Sequence, residues 1–322
     1  LSFGPVREYG NIAAGPMNHV RMFKDVPRKF DAWDIDSNYE KQETEGLFDI
    51  HTEITSEGGA RAAVRVKAKV GNSLICQDII LEAGSDRLDF KTAIDWKELH
   101  RLLKVSFPTV IRTENGINEI QFGYIERPMH RSRAYEKDRF EVCNHRYSAV
   151  CDGGNGFGIL NDCKYGISMK DGTLELTLLR AGACPDMRAD NRLHTFTYGI
   201  TVWKGSFEES RITELGYEIN EVPLVFEGAA PDLSLAITDS AHIMIDTVKM
   251  SEDGSGDLIF RLYEAKKWRD TARLQFGIPV KRVWSCDMLE NKREELSLEN
   301  QTVQLAFRAF EIKTLRVQVK NE

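Results

Sequence analysis

The chain has 322 residues, 42% of them hydrophobic and 29% charged, with a net charge of −7 and a pI near 5.7. That length allows one large or two medium domains, and the composition is that of an ordinary soluble globular protein. The acidic balance argues against a nucleic-acid binder, which needs a basic face for phosphate, and no apolar run nears the roughly 18 residues that span a bilayer; neither point counts against a neutral sugar as ligand.

The chain opens at Leu1 without Met, a basic n-region or an apolar h-region. This start reads as a processed or truncated end, so the missing signal does not by itself fix a compartment. Residues 1–24 carry glycines and prolines and read as a loop or a remnant strand. Beyond them period two dominates. Val64, Val66, Ala68 and Val70 alternate with Arg65, Lys67 and Lys69, and Leu88, Phe90, Thr92, Ile94 and Trp96 alternate with Arg87, Asp89, Lys91, Ala93 and Asp95. Near the end Leu315, Val317 and Val319 alternate with Arg316, Gln318 and Lys320. Such alternation puts one face on a core and the other in water, as in antiparallel sheets. Turn signals recur between the runs, among them Gly71-Asn72, Asn115-Gly116, Asp171-Gly172 and Asp253-Gly254. Amphipathic helices are scarce; Glu98–Lys104 makes one turn or enters a strand. The predicted class is all-β, with a large antiparallel sandwich over 25–225 and a smaller C-terminal β-sandwich over 230–322. Pro223–Asp232, with two prolines and Gly228, marks the boundary.

Six cysteines, none in a CxxC pair, predict free and mostly buried thiols in a reducing compartment and no structural zinc site. Gly153-Gly154-Asn155-Gly156 lacks the Lys-Ser/Thr of a phosphate loop and reads as a hairpin turn. The seven histidines include no i, i+4 pair, and there is neither an HExxH nor a G-x-S-x-G motif. No metal ligand or catalytic residue is assigned. Two polar concentrations remain. Asp31-Ala-Trp-Asp-Ile-Asp36 sets Trp33 beside carboxylates, with Asp34 and Asp36 on one side of an extended segment; it holds a sugar or cation, or caps a sandwich edge. Cys184–His194 carries Asp186, Arg188, Asp190, Asn191, Arg192 and His194 between strands, longer than hairpin geometry requires.

Several stretches resemble one family. They include Phe122-Gly-Tyr-Ile-Glu-Arg-Pro-Met-His130, Leu160-Asn-Asp-Cys-Lys-Tyr-Gly166, Leu176-Thr-Leu-Leu-Arg180, Pro185-Asp186 with Ala189-Asp190, and His194-Thr-Phe-Thr-Tyr198. Arg261-Leu-Tyr263 and Phe310-Glu-Ile-Lys-Thr-Leu315 continue the series. In this order they are similar to the C-terminal region of glycoside hydrolase family 38 (class II) α-mannosidases, over nearly the whole chain. The resemblance implies a mutarotase-like supersandwich followed by a small β-sandwich. It places the nucleophile and the zinc ion in an N-terminal catalytic barrel of which these residues carry no trace. It makes that barrel a partner, an α-mannoside glycan the substrate of the whole enzyme, and the cytoplasm the location, with room for an oligomer. Carried onto the two polar loops, it puts Trp33, Asp34, Asp190, Arg192 and His194 at the substrate rim. Arg131-Ser-Arg-Ala-Tyr-Glu136 and Tyr147–Gly156 depart from the family pattern and leave room for a divergent preference. The chain alone is expected to be inactive; the alternatives are a stand-alone carbohydrate-binding module and a mutarotase-like enzyme.

Overall fold

A computed structural model describes residues 12–320 except Val222 and residues 230–232. The expected loop or remnant strand over 1–24 therefore lies in part (1–11), and the expected boundary at 223–232 in part (230–232), outside the described residues. The fold is all-β, with several antiparallel sheets, and the chain divides into two compact units: Leu1–Glu119 with Ile125–Val222, and Ile120–Tyr124 with Pro223–Glu322.

The first unit packs two antiparallel sheets of unequal width. The narrower has five strands, in the order β1 (His19–Lys24), β6 (Arg101–Pro108), β13 (Thr173–Arg180), β12 (Gly166–Lys170), β9 (Val142–Cys143). The wider has nine, in the order β2 (Phe48–Ser56), β3 (Arg61–Val70), β4 (Ser73–Glu82), β5 (Arg87–Asp95), β14 (Leu193–Lys204), β11 (Asn155–Asn161), β10 (Tyr147–Cys151), β7 (Asn115–Ile120), β8 (Gly123–Pro128). The alternating runs read from the sequence are β3 and β5: Leu88, Phe90, Ile94 and Trp96 of the second face the opposite sheet as period two requires, whereas in β3 Val70 reaches that core and Val64, nearer the sheet's edge, is exposed. Phe107 of β6 sits at the centre, with ring centroids 6.2, 5.9 and 6.3 Å from Phe90, Phe157 and Tyr198 of the wide sheet. A closed ring of hydrogen bonds crosses this core. Asn18 Nδ2 donates to Gln77 Oε1 at 2.7 Å, Gln77 Nε2 to the Tyr198 hydroxyl at 2.8 Å, and that hydroxyl to Asn18 Oδ1 at 2.6 Å. Each buried polar group is thereby satisfied.

Beyond β6 the narrow sheet is covered by loops. Phe23, Leu102 and Tyr39 pack together there, Tyr39 lying in the 3-10 turn Ser37–Lys41. Beneath them the fully buried Lys104 bonds Glu141 and, at 3.1 Å, Thr177. Burial lowers this ammonium to about 7. The divergent segment after Met129 closes the same side, with Arg131 2.7 Å from Glu40. On the wide sheet the helix Ile212–Asn220 lies against β11, β10 and β14. It was not foreseen, although Ile212, Leu215, Gly216 and Ile219 have helical spacing. Glu98–Leu99–His100 is a connection, and β6 starts at Arg101.

The second unit is a smaller sandwich. Three strands, β15 (Ala236–Thr238), β18 (Asp270–Phe276) and β21 (Thr302–Phe307), face five: β16 (Ile243–Met250), β17 (Leu258–Glu264), β22 (Ile312–Val319), β19 (Val280–Cys286) and β20 (Lys292–Leu296). Phe260, Leu262, Leu274, Val303 and Val317 fill the space between them.

All six cysteines are free, but the expectation that most are buried fails: Cys143, Cys163 and Cys184 are exposed and the other three are half-buried. The glycine-rich run is a hairpin turn between β10 and β11. Asp152 Oδ1 accepts from Gly154 N and Asn155 N at 3.0 and 2.9 Å, which closes the turn from within. Gly156 stands opposite Trp203 on β14, and a Cβ there would lie 1.9 Å from the indole ring. The indole is fixed by its N–H donating to Ser206 O at 3.0 Å. Gly156→Ala is therefore expected to destabilise the protein by about 1–3 kcal/mol through overpacking, read as a lower urea midpoint with an unchanged slope.

Candidate rim site at one end of the large sandwich

Register places three connections at the same end of the two facing sheets. Lys24 of β1 pairs with Arg101 of β6, and Leu102 of β6 with Arg180 of β13. In the wide sheet Asp95 of β5 pairs with Leu193 of β14. Residues 25–36, 96–100 and 181–192 therefore emerge together, and both polar loops singled out in the sequence are among them. Backbone bonds tie them across the sheets. Trp96 N donates to Arg192 O at 3.0 Å and His100 N to Ala181 O at 2.6 Å. The Trp96 indole N–H donates to Arg180 O at 3.1 Å, and Glu98 N to Asn191 Oδ1 at 3.1 Å.

The loop 30–34 is a turn, not the extended segment expected. Phe30, at φ 56°, bends the chain so that its carbonyl accepts from both Trp33 N and Asp34 N, at 2.7 and 2.8 Å. The carboxylates then turn inward on the backbone. Asp31 Oδ2 accepts from Ala183 N and Cys184 N at 2.6 and 3.1 Å. Asp34 Oδ1 accepts from Ile35 N at 2.9 Å, and Asp36 Oδ2 from Arg28 N at 3.0 Å. Arg180, which the sequence reading passed over as a strand residue, is the tie. Its guanidinium lies 2.8 and 2.7 Å from Asp25 Oδ2 and donates to the carbonyls of Asp34 and Asp31 at 2.7 and 3.3 Å. Burial holds the Asp25 carboxyl above the usual carboxylate range, against the pull of Arg180.

On this base the five residues expected at the rim take different positions. Trp33 is 76% exposed, and Asp34, Asp190 and Arg192 also face solvent. His194 is half-buried, and its Nε2 lies 2.7 Å from Asp190 O; Asp190 supplies that carbonyl from a left-handed conformation at φ 62°. The contacts that join the two loops run through Asp31 and Arg180, at their roots. Around the rim Val26, Phe30, Leu99, Met187 and Leu193 are exposed as well, so the end is apolar in outline. Leu193, with Leu74, Ala93 and Cys76, also lines an adjoining pocket of about 320 Å³.

A zinc ion does not fit these residues. Among the described residues no three His, Cys, Asp or Glu side chains converge on one point. Asp31 Oδ1 and His100 Nδ1 are buried without hydrogen-bond partners, 3.7 Å apart, and two donors do not make a tetrahedral site. No helix of the described residues is long and apolar enough to cross a membrane.

The fold thus defines a two-sandwich β-region whose larger half carries a loop-built end. The chain belongs to glycoside hydrolase family 38: the family's C-terminal domain matches residues 9–188 and its C-terminal β-sandwich domain residues 242–315. It is 33% identical to alpha-mannosidase 2C1 of Homo sapiens, over 94% of this chain and 30% of that protein. It is also 33% identical to alpha-mannosidase G of Dictyostelium discoideum, over 93% of this chain and 29% of that one. The chain therefore spans less than a third of the length of these relatives. In fold it is similar to an alpha-mannosidase from Enterococcus faecalis, with a TM-score of 0.74 and 19% identity over 93% of this chain and 38% of that one.

Two substitutions probe the charged base of this end. Asp31→Ala strands the N–H groups of Ala183 and Cys184, so a loss of about 1–3 kcal/mol is expected, together with faster proteolysis within 25–36; denaturant melts and timed digestion check both. The second concerns Asp25. Its proton is held more tightly folded than unfolded, so its contribution to stability is complete below about pH 4 and falls as pH rises through the raised folded value. Arg180→Met removes the cation that lowers that value, and carboxyl NMR should show Asp25 titrating at higher pH in the variant than in the parent.

Proposed function

We propose that this chain is the C-terminal, non-catalytic β-region of an α-mannosidase that releases terminal α-mannosyl residues, and that its apolar end packs on an N-terminal zinc-dependent barrel. The observation that carries this reading is the end itself. Val26, Phe30, Trp33, Leu99 and Met187 are exposed on loops held from below by Asp31 and Arg180, and Leu193 is exposed beside them at the start of β14. A free loop would fold such side chains inward; here ion pairs and hydrogen bonds hold them outward, as an interface requires. Trp33, Asp34, Asp190, Arg192 and His194 then border the substrate pocket. The Trp33 ring supplies a flat face for sugar C–H groups, while Asp190 and Arg192 supply an acceptor and donors for hydroxyls. The acids of 31–36 act as scaffold: retaining hydrolysis needs two available carboxyls about 5 Å apart, and Asp31, Asp34 and Asp36 are engaged with backbone N–H groups. Zinc and nucleophile belong to the barrel in this reading, and a cytoplasmic enzyme suits the six free thiols.

The test is hydrolysis of an aryl α-mannoside by the purified 322-residue chain, with added zinc and separately with chelator. No turnover is expected in either. A separately produced family 38 catalytic barrel should bind the chain, and Phe30→Asp with Met187→Asp should weaken that binding at least about tenfold. Turnover by the chain alone, or binding indifferent to the two substitutions, overturns the proposal.

A further inference from the structure

Strand β2 is the edge of the nine-stranded sheet, paired with β3 on one side. Eight of its nine residues are exposed, and they include Phe48, Ile50 at 54% and Ile54 at 63%. A long exposed edge offers its unpaired backbone groups to any extended chain, and monomeric proteins usually blunt such edges. Two bulges interrupt β2, between Phe48 and His51 and between Ile54 and Ser56. They leave His51–Ile54 as a regular stretch, in register with Lys67 to Val64. Through that pairing His51 and Glu53 share the outer face with Lys67 and Arg65, while Thr52 and Ile54 share the inner face with Val66 and Val64.

We propose that β2 pairs antiparallel with β2 of a second copy across a two-fold axis at Thr52, so that two nine-stranded sheets become one. The edge is self-complementary in that register. Ile50 falls opposite the partner's Ile54, Thr52 opposite the partner's Thr52, His51 opposite the partner's Glu53, and Asp49 opposite the partner's Thr55. Both faces are served: apolar side chains meet on the inner face, and a histidine meets a carboxylate on the outer. Thr52 is also the midpoint of the strand, so the regular stretch pairs and the bulges on its two sides fall toward either end of the paired region. Competing registers are worse. An axis between two residues would set inner against outer side chains. An axis at His51 puts Asp49 against the partner's Glu53 and stacks two histidines; an axis at Glu53 stacks two carboxylates. Axes at Ile50 or Ile54 pair little more than half the strand. With the axis at Thr52, Ile50, Ile54 and Val64 of both copies line up as one stripe, the isologous arrangement of a two-fold dimer.

Sedimentation equilibrium of the 322-residue chain tests this, and a monomer–dimer equilibrium is expected. Ile54→Glu, at an exposed position, should keep the fold by near-ultraviolet circular dichroism and weaken association at least about tenfold. Thr52→Cys places two thiols across the axis, close to disulfide distance. Mild oxidation should then give a linked dimer whose joined peptides both contain position 52, while Ser56→Cys should not. A chain that stays monomeric at all concentrations overturns the proposal. So does a dimer that ignores Ile54→Glu and links through Cys143, Cys163 or Cys184 instead of position 52.

Discussion

Nine strands cannot be covered by five. The shared core runs from Val70, Ile75 and Phe90 through Tyr198, Phe157 and Val150, where β1, β6, β13 and β12 lie opposite. The outer face of the wide sheet, which those strands do not touch, needs another solution. At β10, β11 and β14 the helix Ile212–Asn220 supplies it from the outer side; Ile212 packs so closely on Gly158 that a Cβ there would lie 2.2 Å from the Ile212 side chain. At β3 and β4 the outer face needs no cover, because it is built of charge pairs such as Arg65 with Asp78, bidentate at 2.7 and 2.8 Å. β2 shares in those charge pairs, Asp49 with Lys69 at 2.7 Å and Glu53 with Lys67 at 3.4 Å, but Ile50 and Ile54 remain in water.

The loop end obeys a different economy. Asp25 and Arg180 are partly withdrawn from water, and a half-buried ion pair of this kind contributes little net stability once desolvation is counted. What it contributes here is position. Arg180 holds the Asp25 carboxylate on one side and two carbonyls of the 31–34 turn on the other, so a loop with a 76% exposed tryptophan keeps one shape. Removing either charge strands the other, which makes the cluster costly to break even if it was nearly neutral to build.

Much of this was legible. Period two announced β3, β5 and β22 because one face of each meets a core and the other meets solvent or charge. The two polar loops stood out because neither their length nor their composition suited a hairpin. What stayed hidden depends on contacts distant in sequence. Nothing local in Leu176-Thr-Leu-Leu-Arg180 shows that its arginine reaches back 155 residues to Asp25. The Asn18, Gln77 and Tyr198 ring joins three segments of which each alone reads as an ordinary strand or turn. The turn at 30–34 was missed because it hinges on Phe30 at positive φ, a conformation costly for a bulky residue. The helix at 212–220 was legible in its spacing but spans only nine residues, short of what an isolated helix needs to hold in water; packing on the sheet makes it.

The fate of the 31–36 acids separates two meanings of a carboxylate cluster. A catalytic acid or base must exchange a proton with substrate, so its oxygens must be reachable and its hydrogen bonds few. An acid that closes a turn is acceptor to backbone N–H groups that have no other partner, and its oxygens are taken up by them. Asp31, Asp34 and Asp36 each take backbone N–H groups, and Asp31 bridges two chain segments 152 residues apart. Trp33 is exposed because these acids hold the turn in which it sits. Spacing alone brings such acids together in either case, and the direction of their hydrogen bonds is what tells a scaffold from a reaction centre.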